Sequence, residues 1–270
     1  MKTLFSYTNE QYSATKKGNL SVFLTNQLAS FAVLDPQTNQ PTKLSYFQIE
    51  NWSEEAVELF INTCKESAEL GSIVVAFATE RYTLLPISKF DPKALQQQLH
   101  ATFPFNPAME FLQESYTDAQ FYLGYQVPSI LLHAIKHSFP AFQFRHVFKP
   151  LFYKVDKQAT TGTIVIDIAI QQLSIAIFKA DQLLYAGTQL FTTEQDALYI
   201  LLKICHAYLI NPLEAQVFIS GLVEVDSNLF NVLAQYFNSI QFRENEYDWS
   251  NTSLPAHYFT LLTNNVLCVS

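Results

Sequence analysis

Glycine is scarce in this chain, with six in 270 residues. Loops that wrap phosphate groups need residues tolerant of positive φ, and neither GxGxxG nor GxxxxGK[ST] occurs, so the glycine-rich phosphate loops are excluded. Cysteine is scarcer still. Cys64, Cys205 and Cys268 are far apart, odd in number and without CxxC spacing. That pattern argues for reduced thiols in a cytoplasmic protein, two in the core and one near the C-terminus, rather than a disulfide frame or a zinc site. Positive charge is also short. Sixteen Lys and Arg against 24 Asp and Glu leave a formal net charge of −8, and no basic cluster is dense enough to follow a phosphate backbone, so nucleic acid is not expected as a partner. No run reaches the ~18 apolar residues of a membrane span, and the opening MKTLFSYTNEQYSATKKG turns polar too early for a signal-peptide core. A soluble cytoplasmic protein without a membrane partner is the expectation. Finally, there is no GxSxG motif, and no serine or cysteine stands at a recognisable spacing from a histidine and an acid, so no catalytic residue is assigned.

What the chain has in abundance is apolar bulk: 49% hydrophobic residues, with 23 Phe and 14 Tyr. This is enough to fill one large domain or two of ordinary size. From the N-terminus, residues 20–24 and 31–34 alternate apolar and polar, turn at Asp35-Pro36 and resume near Lys43, as in a β-meander. Ser53 with Glu54 and Glu55 predicts a helix start, and Val57, Phe60, Ile61, Cys64 and Ala68 give its apolar stripe, ended by Gly71. SIVVAFAT follows as a strand buried on both faces, then the strand-like YTLLPI and a helix capped by Asp91 through Leu99.

The second half repeats this order. GTIVIDIAIQQLSIAIFKADQLLYAGTQLF is a run of strands. Thr193, with Glu194 and Asp196, caps a helix whose stripe runs from Ala197 to Tyr208, and Asn211-Pro212 stops it. AQVFISG is a buried strand, Asp226 caps a helix through Phe237, and SIQF adds a strand. Leu20 falls on Ile164 at an offset of 144, Leu28 on Leu173 at 145 and Val74 on Val217 at 143. The inference is an α/β protein built from a duplicated βββαβα unit. The expected domains are residues 1–103, a mostly helical linking segment 104–158, and residues 159–270.

A duplicated βββαβα unit resembles the actin-like ATPase superfamily, whose ribonuclease-H-like halves bind ATP between them. At whole-chain level the sequence is most similar to the family known as domain of unknown function 3822, to which Tyr125-Gln126-Val127-Pro128 and Phe139-Pro140 contribute. The resemblance implies an Asp-x-Gly hairpin in each copy, where the acid holds Mg²⁺ or its waters and the glycine admits phosphate to the backbone. It also implies a strand ending in Gly-Gly against the adenosine. Here the second copy reads Asp167-Ile168-Ala169, the first reads Phe23-Leu24-Thr25, and the third motif is Ile219-Ser220-Gly221-Leu222. The nucleotide motifs are therefore degenerate, and apolar residues such as Val22 and Ile170 offer no phosphate cradle. Asp167, Ser220 and Gly221 stand as a vestigial cofactor-binding set.

Other candidates have plainer readings. His133 and His137 are one helical turn apart with His146 further on, but the metalloprotease pattern lacks its glutamate, which is Ala134. Surface histidines are the simpler expectation. Glu224 and Asp226 could join Asp167 in a two-metal nuclease cluster, although Asp226 is better explained as a helix cap. RENEYDWSN, residues 243–251, reads as an exposed acidic loop whose Tyr247 and Trp249 are of the types that anchor interfaces. The expectation is a pseudoenzyme that binds an unidentified protein or itself, with neither cofactor nor metal. The alternatives are an ATP/Mg-dependent phosphotransferase or slow ATPase using Asp167, Ser220 and Gly221, and a divergent nuclease.

Overall fold

A computed structural model describes residues 1–9, 18–35, 37, 40–67, 70–89, 91–139, 141–250 and 252–268. Pro36, Ala68, Pro140 and Asn251, named above, lie outside the described residues. The chain divides into two compact units, residues 1–33 with 43–146, and residues 34–42 with 147–270. Among the described residues no helix is long and apolar enough to cross a membrane.

The first unit is built on β1 (Lys2–Thr8), β2 (Gly18–Leu24), β3 (Leu28–Asp35), β4 (Gln40–Gln48), β5 (Leu70–Phe77) and β9 (Phe142–His146), ordered β1-β4-β3-β2-β5-β9. α1 (Glu54–Lys65) starts where expected, because the Ser53 side chain accepts the Ala56 N–H, and it buries Val57, Phe60, Ile61 and Cys64. β5 pairs in parallel with β2 and, from Ile73 to Phe77, with β9, and that doubly paired stretch is apolar throughout. Between β5 and β9 come β6 (Tyr82–Pro86), α2 (Pro92–Thr102), β7 (Met109–Tyr116), β8 (Phe121–Pro128) and α3 (Ser129–Ser138). The strands β6, β8 and β7 form a separate three-stranded sheet, on which α2 packs through Leu95 and Leu99.

Two expectations are corrected here. Residues 104–158 are not a mostly helical link: they hold β7, β8 and β9 as well as α3 and the short α4 (Phe148–Phe152). Met109, Leu112 and Tyr116 recur at helical spacing, but the turn at 117–120, with Gln120 at φ 60°, folds this stretch into an antiparallel hairpin. The helix capped by Asp91 belongs to this inserted sheet, and α3 is the second helix of the first repeat.

The second unit holds β10 (Thr163–Ala169), β11 (Gln172–Lys179), β12 (Gln182–Leu190), α5 (Glu194–Ala207), β13 (Gln216–Gly221), α6 (Asn228–Ala234), β14 (Ser239–Phe242), a 3-10 turn (Ala256–Phe259) and α7 (Thr260–Leu267). Its order, β12-β11-β10-β13-β14, matches β4-β3-β2-β5-β9 strand for strand, and the duplication is real. One face of the sheet carries Ile164, Ile166, Ile168, Ile175, Val217 and Ile219 against α5 and α6. α4 lies on the opposite face, where Phe152 meets Phe178 edge-on at 5.4 Å, and α7 packs against α4 and β13.

Register fixes one offset for the repeat. Leu20 pairs with Ile73, and Ile164 with Val217, so Ile73, not Val74, is the counterpart of Val217. Thr25 donates across its turn to Leu28, as Ala169 pairs with Gln172, so Leu28 matches Gln172. All of these pairs are 144 apart. The offsets of 143 and 145 were each one residue out, enough to exchange the two faces of a strand.

Candidate functional site

Strand alternation gives the buried acid its place. With Ile164, Ile166 and Ile168 in the core beneath α5 and α6, Asp167 points to the face covered by α4 and α7. The register sets Thr188 beside Ser174, Ser174 beside Asp167 and Asp167 beside Ser220. A row of polar side chains thus crosses four strands. All four are buried, Asp167 to 3% exposure. Ser220 Oγ donates to Asp167 Oδ1 at 2.7 Å. Burial pushes the Asp167 carboxyl up from 3.8 to about 6, against the opposing pull of the Ser220 hydrogen bond and the Arg243 charge.

Gly221 ends β13 at φ 89°, in the left-handed region that favours glycine. Its backbone lies so close to β10 that a Cβ would collide with Ile168 O and stand 2.7 Å from Ile168 N. The glycine therefore has a local structural reason, since it lets Leu222 N reach Ile168 O at 2.6 Å.

The two hairpins differ. In the first, Thr25 Oγ1 accepts from the N–H groups of Gln27 at 3.0 Å and Leu28 at 2.9 Å, and Thr25 N donates to Leu28 O. Trp52 Nε1 donates to Thr25 O at 2.9 Å, and Ile49 N to Gln27 O at 2.8 Å. The amides of Thr25, Gln27 and Leu28 are thus consumed inside the protein. Phe23, at the position matching Asp167, is a buried core residue. In the second hairpin Gln171 takes φ 52°, and its carbonyl accepts from Phe191 N.

The remaining candidates disperse. His133 lies on the surface beside Glu110, 3.3 Å away, while His146 is fully buried and held neutral, its pKa pushed down to about 3. Glu224 accepts from Tyr258 at 2.9 Å, and among the described residues no three His, Cys, Asp or Glu side chains gather as a metal site. Asp226 does not cap α6. Ser227 does, through the Phe230 N–H. Nor are Tyr247 and Trp249 exposed anchors: both are buried, Trp249 with its ring 4.2 Å from Phe259. Cys64 and Cys205 are buried thiols and Cys268 is half-buried.

Sequence reading passed over a repeated tripeptide. Gln143-Phe144-Arg145 lies within β9, and Gln241-Phe242-Arg243 spans the end of β14. Val75 pairs with Phe144, and Ile219, 144 residues on, pairs with Phe242. The two arginines thus hold equivalent places. Arg145 donates to Gln143 Oε1 at 2.6 Å, and Arg243 Nη2 to Tyr153 O at 2.8 Å. Also passed over was Glu114, whose carboxylate accepts from Tyr116 OH, Tyr125 OH and His146 N and so ties the inserted sheet to β9.

Two sheets that share one five-strand order, each with a first hairpin and a crossover helix, define the class: this is the actin-like ATPase fold. A solved protein of Bacteroides thetaiotaomicron VPI-5482, described as having that fold and unknown function, superposes with a TM-score of 0.75 at 13% identity, over 95% of this chain and 98% of that one. The PilM-PilN type IV pilus biogenesis complex matches with a TM-score of 0.61 at 10% identity, over 93% and 98%. The cytoplasmic domain of EpsL, an inner membrane component of the type II secretion system of Vibrio cholerae, matches with a TM-score of 0.50 at 14% identity, over 94% and 96%. At these identities the likeness concerns the fold alone. No curated protein matches the sequence. The chain belongs to the family described as protein of unknown function DUF3822, which matches residues 8–240.

Proposed function

We propose that this chain is a non-catalytic actin-like module that works by binding another protein or by pairing with itself, its nucleotide site being vestigial. One observation carries the reading. The hairpin that should offer amides to a phosphate has turned those of Thr25, Gln27 and Leu28 inward, onto Thr25 Oγ1 and the Leu28 carbonyl. An amide already bonded inside the protein has no net gain to offer a ligand. The acid of that hairpin is replaced by Phe23, and the acid of the other, Asp167, is buried and engaged by Ser220. These residues do not fit a Mg²⁺-nucleotide. The PilM-PilN complex is a case of the same fold in a protein–protein assembly.

A second reading, an ATP-dependent phosphotransferase or slow ATPase, has the retained Asp167 in its favour. Calorimetry with ATP and ADP in the presence of Mg²⁺ separates the two. The scaffold reading expects no heat of binding at millimolar nucleotide and no rise in Tm, whereas a ligand at 100 times its Kd would stabilise by about 2.7 kcal/mol. Saturable binding that Asp167→Asn abolishes would overturn the scaffold reading.

A further inference from the structure

We propose that the chain pairs with a second copy of itself through a charge-free ridge at one end of the second unit, with Leu209 at its centre. The inference rests on the self-pairing side of the reading above and gives it a surface. Two loops build the ridge. One leads from α5 to β13 and the other from α6 to β14, and because β13 and β14 run in parallel both loops lie at the same end of the sheet. Asn238 Nδ2 donates to Leu213 O at 3.1 Å and ties one loop to the other. Tyr208, Leu209 and Leu213 of the first loop and Tyr236 of the second are all exposed.

Leu209 is placed against its own preferences. α5 closes with Leu209 N donating to His206 O at 3.3 Å and Ile210 N to Cys205 O at 2.9 Å. That pair of bonds calls for a left-handed residue at position 209, where glycine is the usual choice, and Leu209 takes φ 53°. Among the described residues it is the only large apolar side chain at positive φ. It is also 85% exposed, more than any other large hydrophobic residue described. Ile210 beside it is buried and supplies the packing. The leucine thus serves neither the helix end nor the core, and a local rule broken without gain to the fold marks a functional position.

Charge selects the occupant. The chain carries a formal −8, so two copies repel wherever their acids meet. Residues 207–213 and 234–239 contain no charged side chain, and Glu214 stands at the border. Two such ridges meet without apposing like charges, whereas a strongly basic or acidic partner finds no opposite charge on them. Across a two-fold axis Leu209 of one copy packs on the tyrosines of the other, an apolar match that needs no second kind of surface. The exposed side chains offer on the order of a few hundred Å², below the ~800 Å² per partner of a standard interface, so the pair is reversible.

Sedimentation velocity on the full chain, from micromolar to millimolar protein, tests this. A monomer–dimer equilibrium is expected, and it should tighten as salt rises because screening weakens the mutual repulsion. Leu209→Asp should weaken pairing about tenfold or more. Leu209→Gly should weaken it as well, yet leave the Tm of dilute protein unchanged or higher, because glycine suits this helix end. Leu59→Asp, at an exposed leucine of α1 in the first unit, should leave pairing intact. Pairing indifferent to both Leu209 variants, or weakened as much by Leu59→Asp, overturns this surface and leaves self-pairing standing. Pairing that salt weakens overturns it too, since opposite charges then hold the copies. So does a lower Tm for Leu209→Gly, which would give the leucine a place in the fold. A monomer at millimolar concentration overturns the inference while leaving the other half of the reading, binding of a different protein, untouched.

Discussion

Asp167 is the residue whose cost depends on pH. Burial raises its carboxyl from 3.8 to about 6 in the folded protein, while the unfolded chain releases the proton near the ordinary value. Between these values the folded state holds a proton that the unfolded state has lost. The contribution of Asp167 to stability therefore falls as pH rises from about 4 to about 6 and stays low above that, by an amount on the order of 2–3 kcal/mol. Asp167→Asn keeps an acceptor for Ser220 and removes the charge. Urea unfolding across this range should find the variant at least as stable as the parent at neutral pH and without this decline, and a clear loss at neutral pH would refute the account. Gly221→Ala is the opposite case. The positive φ and the crowding against Ile168 predict a loss of about 3 kcal/mol or more, read from the same unfolding curves. Both residues were legible as special in the sequence, the acid because it interrupts an apolar strand and the glycine because the family resemblance places it at a strand end expected to read Gly-Gly. Arg243 was not, since it stands where a strand gives way to an acidic loop and its partner is the carbonyl of Tyr153, 90 residues away.

Helix termini were the easiest elements to read, because capping chemistry is local. Thr193 and Asp196 form the full capping box of α5, and Ser53 and Asp91 cap α1 and α2. At α6 two adjacent cap formers compete, and composition alone could not choose between Asp226 and Ser227. The structure predicts that Ser227→Ala costs about 1 kcal/mol while Asp226→Ala costs little, a contrast that chemical denaturation of the two variants resolves. Strand register was harder. β2, β3 and β10 are buried on nearly every residue, so the short alternation at 20–24 and 31–34 does not separate a core face from a solvent face, and a slip of one residue goes unnoticed. β1 escaped for a different reason. It is an edge strand with most of its residues exposed, and its polar composition reads as an unstructured start.

For the whole molecule, the duplication was visible because two runs of strands, helix, strand and helix recur in order. The end of the first repeat was not. An inserted sheet separates β5 from α3, and periodicity cannot say which of two successive amphipathic helices packs on which sheet. The acidic balance of the chain belongs to this scale as well. With a formal charge of −8, micromolar protein should leave the mobility of duplex DNA and of single-stranded RNA unchanged in a gel at low salt, the condition most permissive for phosphate contacts. A retarded band would reveal a basic surface that the overall count conceals.

The inward-turned hairpin at Thr25 also makes an Asp-x-Gly turn costly to build at this position. Rebuilding an Asp-x-Gly turn would take Phe23→Asp and Thr25→Gly. The first replaces a buried ring with a carboxylate, and the second strips Gln27 and Leu28 of the oxygen that satisfies their amides. Each change alone weakens the fold before any phosphate affinity returns. Any path from this hairpin to a nucleotide site thus runs through less stable intermediates.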